Sequence, residues 1–130
     1  MSQKYPLEEG QEKMSLPLSM FTRVGNQIFV SGHGAVDEDG NFVSETFEGQ
    51  FRYTMDAIRK TLLSAGVDFK DVVMVRGYVR DQKNLPLYNR LYREYFAEPR
   101  PARTTLTDCL PNGLEFEIDC VAFATENTGG

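Results

Sequence analysis

At 130 residues, 41% hydrophobic and 25% charged, the chain has the length and apolar content of one compact domain, which should bury roughly two thirds of the surface its unfolded form exposes. A formal net charge of -5 opposes a polyanionic partner, because nucleic-acid binders usually carry a basic stripe that displaces counterions from phosphates, and no such stripe is present. No apolar run approaches the roughly 20 residues that span a bilayer, and the polar opening MSQKYPLEEGQEK lacks the apolar core of a signal peptide, so a cytoplasmic protein with no membrane partner is expected.

Residues 1–15 read as a polar leader and 125–130 as a flexible tail on a single domain. After the leader, PLSMFTRVGNQIFVSG predicts a hairpin that turns near Gly25 and Asn26, with a second strand from Gln27 to Ser31. DEDGN, Asp37 to Asn41, is a turn. The period then changes. Phe47, Phe51, Met55, Ile58 and Leu62 fall at steps of four, four, three and four, one face of a helix, with Thr46 as N-cap, Glu45 and Glu48 at the positive end of its dipole and Gly66 as the stop.

DVVMVRGYV, Asp71 to Val79, is rich in β-branched residues and short, which predicts a central strand. Asn84 and Pro86 open a second helix whose wide apolar stripe combines Leu87, Leu91 and Tyr95 with Tyr88, Tyr92 and Phe96, and Pro99 and Pro101 end it. The acidic charge and the helical spacing favour core packing for these aromatics over a base-stacking platform.

The last two strands are expected to form a hairpin about Asn112 and Gly113. Counting outward sets Cys109 against Phe116, Cys120 against Thr105 and Arg103 against Ala122, about 16 Å along the strand from Glu117. The two cysteines then read as buried free thiols, and neither lies in a CxxC pair or near His33, the single histidine, so a structural metal site is not expected.

The order ββαβαββ predicts an α+β protein with two helices on one face of the sheet. On the last strand Leu114, Phe116, Ile118 and Cys120 point one way, the natural seat for the helices, and Glu115, Glu117, Asp119, Val121 and Phe123 point the other. Carboxylates two apart on a strand stand about 7 Å from each other and repel by about 2 kcal/mol at an effective dielectric near 20. Arg76, Arg80 and Arg103 are candidate partners. A face half carboxylate and half large apolar fits a subunit interface with a polar cleft in it.

Four separated blocks, VSG (Val30 to Gly32), LYNRLYREYF with Asn89, EPRPAR ending at Arg103, and LP followed by FEID around Glu117, together resemble the RidA/YjgF family of imine deaminases, over about Pro17 to Ala124. The resemblance implies a chorismate-mutase-like two-layer sandwich with a mixed sheet, and a homotrimer with clefts between subunits. It implies hydrolysis of 2-imino acids and their enamine tautomers to 2-keto acids and ammonia, with Arg103 holding the substrate carboxylate and Glu117 positioning the attacking water. Ser31, Gly32 and Asn89 match family ligand contacts, and a family glutamine-like position makes His33 a wall residue rather than a general base. No cofactor is implied, since an iminium carbon is already electrophilic and orientation plus one acid/base group suffices.

Two departures fall in the expected pocket: Leu18 stands where the family has a tyrosine, and Thr105 where it often has a cysteine. Loss of a phenol removes a donor from the pocket edge. The segment from Arg103 to Leu110 and Pro111 is also one residue shorter than is usual. A pathway-specific deaminase for an aminoacrylate- or aminomuconate-like compound and a non-catalytic keto-acid-binding trimer remain alternatives. Some family members are called L-PSP-like endoribonucleases, a role the net charge opposes.

Overall fold

The computed structural model of the protein describes residues 16–125. The expectations for the leader and for the tail beyond residue 125 lie outside the described residues. Strands β1 (Phe21–Val24), β2 (Gln27–Gly34), β3 (Val72–Val79), β4 (Ala102–Thr107) and β5 (Phe116–Phe123) form one mixed sheet, ordered β1-β2-β5-β3-β4, with helices α1 (Phe47–Ser64) and α2 (Leu85–Tyr95) on one face. This is the expected α+β sandwich.

The local signals act as the chemistry requires. Gly25 takes φ +59 in the β1–β2 turn, and the Asp37 side chain accepts from the Asp39 and Asn41 backbone amides to close the next turn. At the start of α1 the Thr46 hydroxyl accepts from the Gly49 amide at 3.0 Å, and past its end Gly66 adopts φ +87. Phe47, Phe51, Met55, Ile58 and Leu62 are all buried, as are Phe116, Ile118, Cys120 and Ala122 of β5 and Val75 and Val79 of β3 beneath them. Phe51, Tyr88 and Phe116 pack edge-on or tilted at 4.7–6.1 Å between ring centroids, so α1, α2 and β5 share one aromatic centre.

Three sequence expectations are corrected. The final two strands are not a hairpin: β4 pairs parallel with β3 at the sheet edge, Val75 beside Arg103, whereas β5 lies between β2 and β3 and is antiparallel to both. Strand, helix and strand in succession favour a parallel crossover, which α2 supplies, and the turn after Cys109 instead carries the chain across the sheet. The expected pairs Cys109–Phe116, Cys120–Thr105 and Arg103–Ala122 therefore do not form, and Cys109 is exposed while only Cys120 is buried. Finally, β2 does not stop at Ser31. It continues to Gly34 through a bulge, advancing three residues from Val30 to His33 while β5 advances two.

Candidate functional site

β4 places Arg103 level with Val75, on the face that the helices cover, and α2 lays its tyrosines against it. The Arg103 guanidinium carbon lies 4.8 Å from the centroid of the Tyr88 ring and 4.8 Å from that of Tyr92. Each such contact is worth about 0.5–2 kcal/mol, depending on desolvation. Next to Tyr88 in the helix, Asn89 Oδ1 accepts a hydrogen bond from Arg103 Nη2 at 2.8 Å. The flat cation is thus oriented by two ring faces and one amide.

Tyr88 can approach this closely because β3 carries Gly77 beneath it: a Cβ there would lie 2.9 Å from Tyr88 Cζ. Burial raises the pKa of the Tyr88 phenol, while the Arg103 charge and the Thr105 hydroxyl pull it back; burial also raises that of Tyr92. Both rings therefore stay neutral at physiological pH and place no negative charge beside the Arg103 guanidinium. A cavity of about 350 Å³ opens here, lined by Asn89, Tyr92, Arg93, Arg100, Pro101 and Arg103. The Tyr92 hydroxyl is buried and has no hydrogen-bond partner among the described residues.

Glu117 belongs to the opposite face. It sits across from Tyr78 on β3 and Gly34 on β2, and the β2 bulge brings Gly32 against its carboxylate, where a Cβ would lie 3.3 Å from the carboxyl carbon. Burial first, and the neighbouring Asp119 charge second, raise the Glu117 pKa above the ordinary carboxylate range. Asp119 accepts from Arg76 Nε at 3.0 Å and from the Tyr78 hydroxyl at 2.7 Å. Burial, then this hydrogen bond, push the Tyr78 phenol up to about 12. Ser31 donates its hydroxyl to the Ser19 carbonyl at 2.6 Å, which ties β2 to the segment bearing the partly exposed Leu18.

The sequence-derived residues thus form two groups. Arg103, Asn89 and Thr105 gather under α2, and Glu117 and Gly32 gather on the bare face, with Ser31 leading to Leu18. In register Arg103 and Glu117 stand three residue steps and two strands apart on opposite faces, about 10 Å along the strands alone. Within one chain the sheet therefore separates them.

Of the proposed arginine partners, Arg76 pairs with Asp119 and Arg80 approaches Glu115 at 3.9 Å, but Arg103 meets an amide instead of a carboxylate. His33 is not a wall residue. It is buried under α1, its Nδ1 2.7 Å from the Ser31 carbonyl and its Nε2 2.8 Å from the Thr61 hydroxyl, and a carbonyl partner requires the proton on Nδ1. Sequence reasoning missed Tyr92, Arg93 and Arg100 around the cavity and the Tyr88 ring beneath Arg103. The i, i+4 pair of tyrosines was visible, but only the parallel placement of β4 sets Arg103 against it.

A family model described as endoribonuclease L-PSP matches residues 12–124. The chain belongs to this family, which includes the Rid/YjgF proteins. Among Rid relatives, the chloroplastic Reactive Intermediate Deaminase A of Arabidopsis thaliana is 33% identical over 108 residues, 82% of this chain and 58% of that protein. The 3-aminoacrylate deaminase RutC of Acinetobacter baylyi is 34% identical over 104 residues, 79% of this chain and 82% of that one. The crystal structure of a putative endoribonuclease from Thermotoga maritima superimposes with a TM-score of 0.79 at 30% identity, covering 97% of this chain and 96% of that one. Among the described residues no helix is long and apolar enough to cross a membrane, and no His, Cys, Asp or Glu side chains cluster as a metal site.

Proposed function

We propose that the protein hydrolyses 2-imino acids and their enamine tautomers to 2-keto acids and ammonia, in a cleft that two chains of a cytoplasmic homotrimer build together. Arg103 of one chain grips the substrate carboxylate with its planar fork, which fixes the plane of the adjoining C=N bond as well as its position. Glu117 of the neighbouring chain takes a proton from water as the oxygen attacks the carbon of the protonated imine, and returns it to nitrogen as the C–N bond breaks; the remaining hydroxyl proton leaves with the ammonia as ammonium, and the keto group forms. Gly32 leaves room beside that carboxylate, and Asn89 keeps the guanidinium in place.

The observation that carries this reading is the division of the candidate residues between two faces: an oriented guanidinium beside a cavity, with no carboxylate partner among the described residues, and a half-buried glutamate of raised pKa on the bare face. The bare face also presents Phe29 and Phe123, each about two fifths exposed, beside the Arg76–Asp119 pair, which suits contact with another copy. Relatives named as deaminases support the reaction class.

To test it, 2-iminobutanoate or 2-iminopropanoate is generated with an amino-acid oxidase and the surviving imine is trapped with semicarbazide. Wild type should lower the trapped imine, and Arg103→Ala and Glu117→Gln should each fail to. Refolded together, the two inactive variants should regain about a quarter of the wild-type rate, because random mixing in a symmetric assembly gives that share of clefts both intact groups. No recovery on mixing, with each variant folded, would rule out the two-chain cleft.

A further inference from the structure

Around the cavity, positive charge exceeds what one carboxylate needs. Asn89 is bracketed by two guanidiniums: its side-chain oxygen accepts from Arg103 at 2.8 Å and its backbone carbonyl accepts from Arg93 Nη1 at 3.3 Å. Among the described residues neither arginine has a carboxylate partner. Nearby acids are engaged elsewhere, Glu94 with Arg52 at 2.7 Å and Glu98 with Arg100 at 3.0 Å. Arg100 is also tethered, its Nε donating to the Phe96 carbonyl at 2.9 Å, so its head is held at the cavity wall. In a chain with a net charge of -5, three arginines at one cavity of about 350 Å³, of which only Arg100 has a carboxylate partner among the described residues, form a local exception that requires a ligand or a reason.

We propose that the substrate is dianionic: a short 2-imino dicarboxylic acid whose second carboxylate is gripped by Arg93, with Arg100 lending charge behind it, while Arg103 holds the carboxylate beside the reacting carbon. This rests on the deaminase reading above and narrows it. Arg93 spends one Nη1 hydrogen on the Asn89 carbonyl and keeps the rest of its donor set, enough for a planar fork to a carboxylate, whereas Arg100 spends Nε and Nη1 on Phe96 and Glu98 and keeps Nη2 as a single donor. The Tyr92 hydroxyl, buried in the same wall without a partner among the described residues, offers one further donor. A monocarboxylic imine would leave Arg93 solvated and unused, so the second acid group should be felt as selectivity.

The test compares kcat/KM for 2-iminosuccinate and 2-iminoglutarate with that for 2-iminobutanoate, each made by the matching amino-acid oxidase and read by semicarbazide trapping. Wild type should favour a dicarboxylic imine at least tenfold. Arg93→Gln, and more so Arg93→Gln with Arg100→Gln, should reduce the dicarboxylate rate at least tenfold more than the monocarboxylate rate. Lys60→Gln on α1, which removes one equal charge from an exposed residue that does not line the cavity, should leave the ratio where it was. Equal wild-type rates on both classes, or a ratio that survives the double substitution, would overturn the proposal.

If wild type turns over no imine at all, the deaminase reading fails by itself. Calorimetry with 2-oxoglutarate, oxaloacetate and 2-oxobutanoate then decides the present question separately. Tighter dicarboxylate binding that is lost in Arg93→Gln supports the dianionic site, and indifference to the second carboxylate rejects it.

Discussion

On the side covered by the helices, Arg103 is held by an amide and two tyrosine rings at the exposed edge of a packed aromatic layer; on the bare side, Glu117 stands at a strand bulge with Asp119 two residues along. Each depends on a glycine. Gly77 makes room for the Tyr88 phenol that supports the arginine, and Gly32 makes room for the Glu117 carboxylate itself. The difference lies in what surrounds the space. Tyr88 is fully buried and has nowhere to go, whereas the end of a glutamate side chain can swing aside. The covered half is therefore shaped by packing, and the bare half by partial loss of water and a like charge.

The largest test of that contrast removes the chemistry from the bare half alone. Glu117→Gln should lower kcat by about 10²–10⁴-fold, the range of a general base, with the melting temperature little changed. Arg103→Lys should cost about 10–100-fold in kcat/KM, corresponding to the loss of one or two charge-assisted hydrogen bonds, because an ammonium restores charge without the fork and stacks less well between rings. A KM effect exceeding the kcat effect would mark Arg103 as an anchor.

The glycines then separate the two halves. Gly77→Ala should destabilise the fold by about 1–3 kcal/mol, read from denaturant melts, since overpacking has no relief against Tyr88. Gly32→Ala should melt close to wild type yet lose activity, because the displaced group is the carboxylate. Equal destabilisation by both would dissolve the distinction drawn here.

The smallest effect is on pH dependence. In the proposed reaction Glu117 acts ionised, so a pKa raised by burial and by Asp119 should put the acidic limb of kcat/KM at higher pH than for an ordinary carboxylate. Asp119→Asn removes the like charge but not the burial. Its acidic limb should move to lower pH without disappearing. A limb that moves upward, or not at all, would show that the Asp119 charge does not tune this group.

Much of this fold was legible because the signals were local. The stripe from Phe47 to Leu62, the Thr46 cap, Gly66 and the alternation along β5 each report on neighbours within a few residues. The partner of β4 was not legible in the same way, because Asn112 and Gly113 look like a hairpin turn whether or not the flanking strands pair. Once β4 is read as a hairpin partner of β5, Arg103 falls beside Ala122 and its contact with Tyr88 and Tyr92 cannot be seen. The resemblance to a known family supplied Arg103, Glu117 and Asn89 as candidates, but it did not reveal that one chain keeps them on opposite faces. Ser31 and Gly32 were singled out as matches to family ligand contacts, yet their placement depends on an extra residue in β2 that only strand register shows.

One consequence of the stacked guanidinium is practical. The chain has no tryptophan and six tyrosines, two of which lie against Arg103. A bound anion would draw the cation's field away from those rings and alter their ultraviolet absorption and emission. Occupancy can therefore be followed by optical titration of the unlabelled chain, with Arg103→Gln as the silent reference.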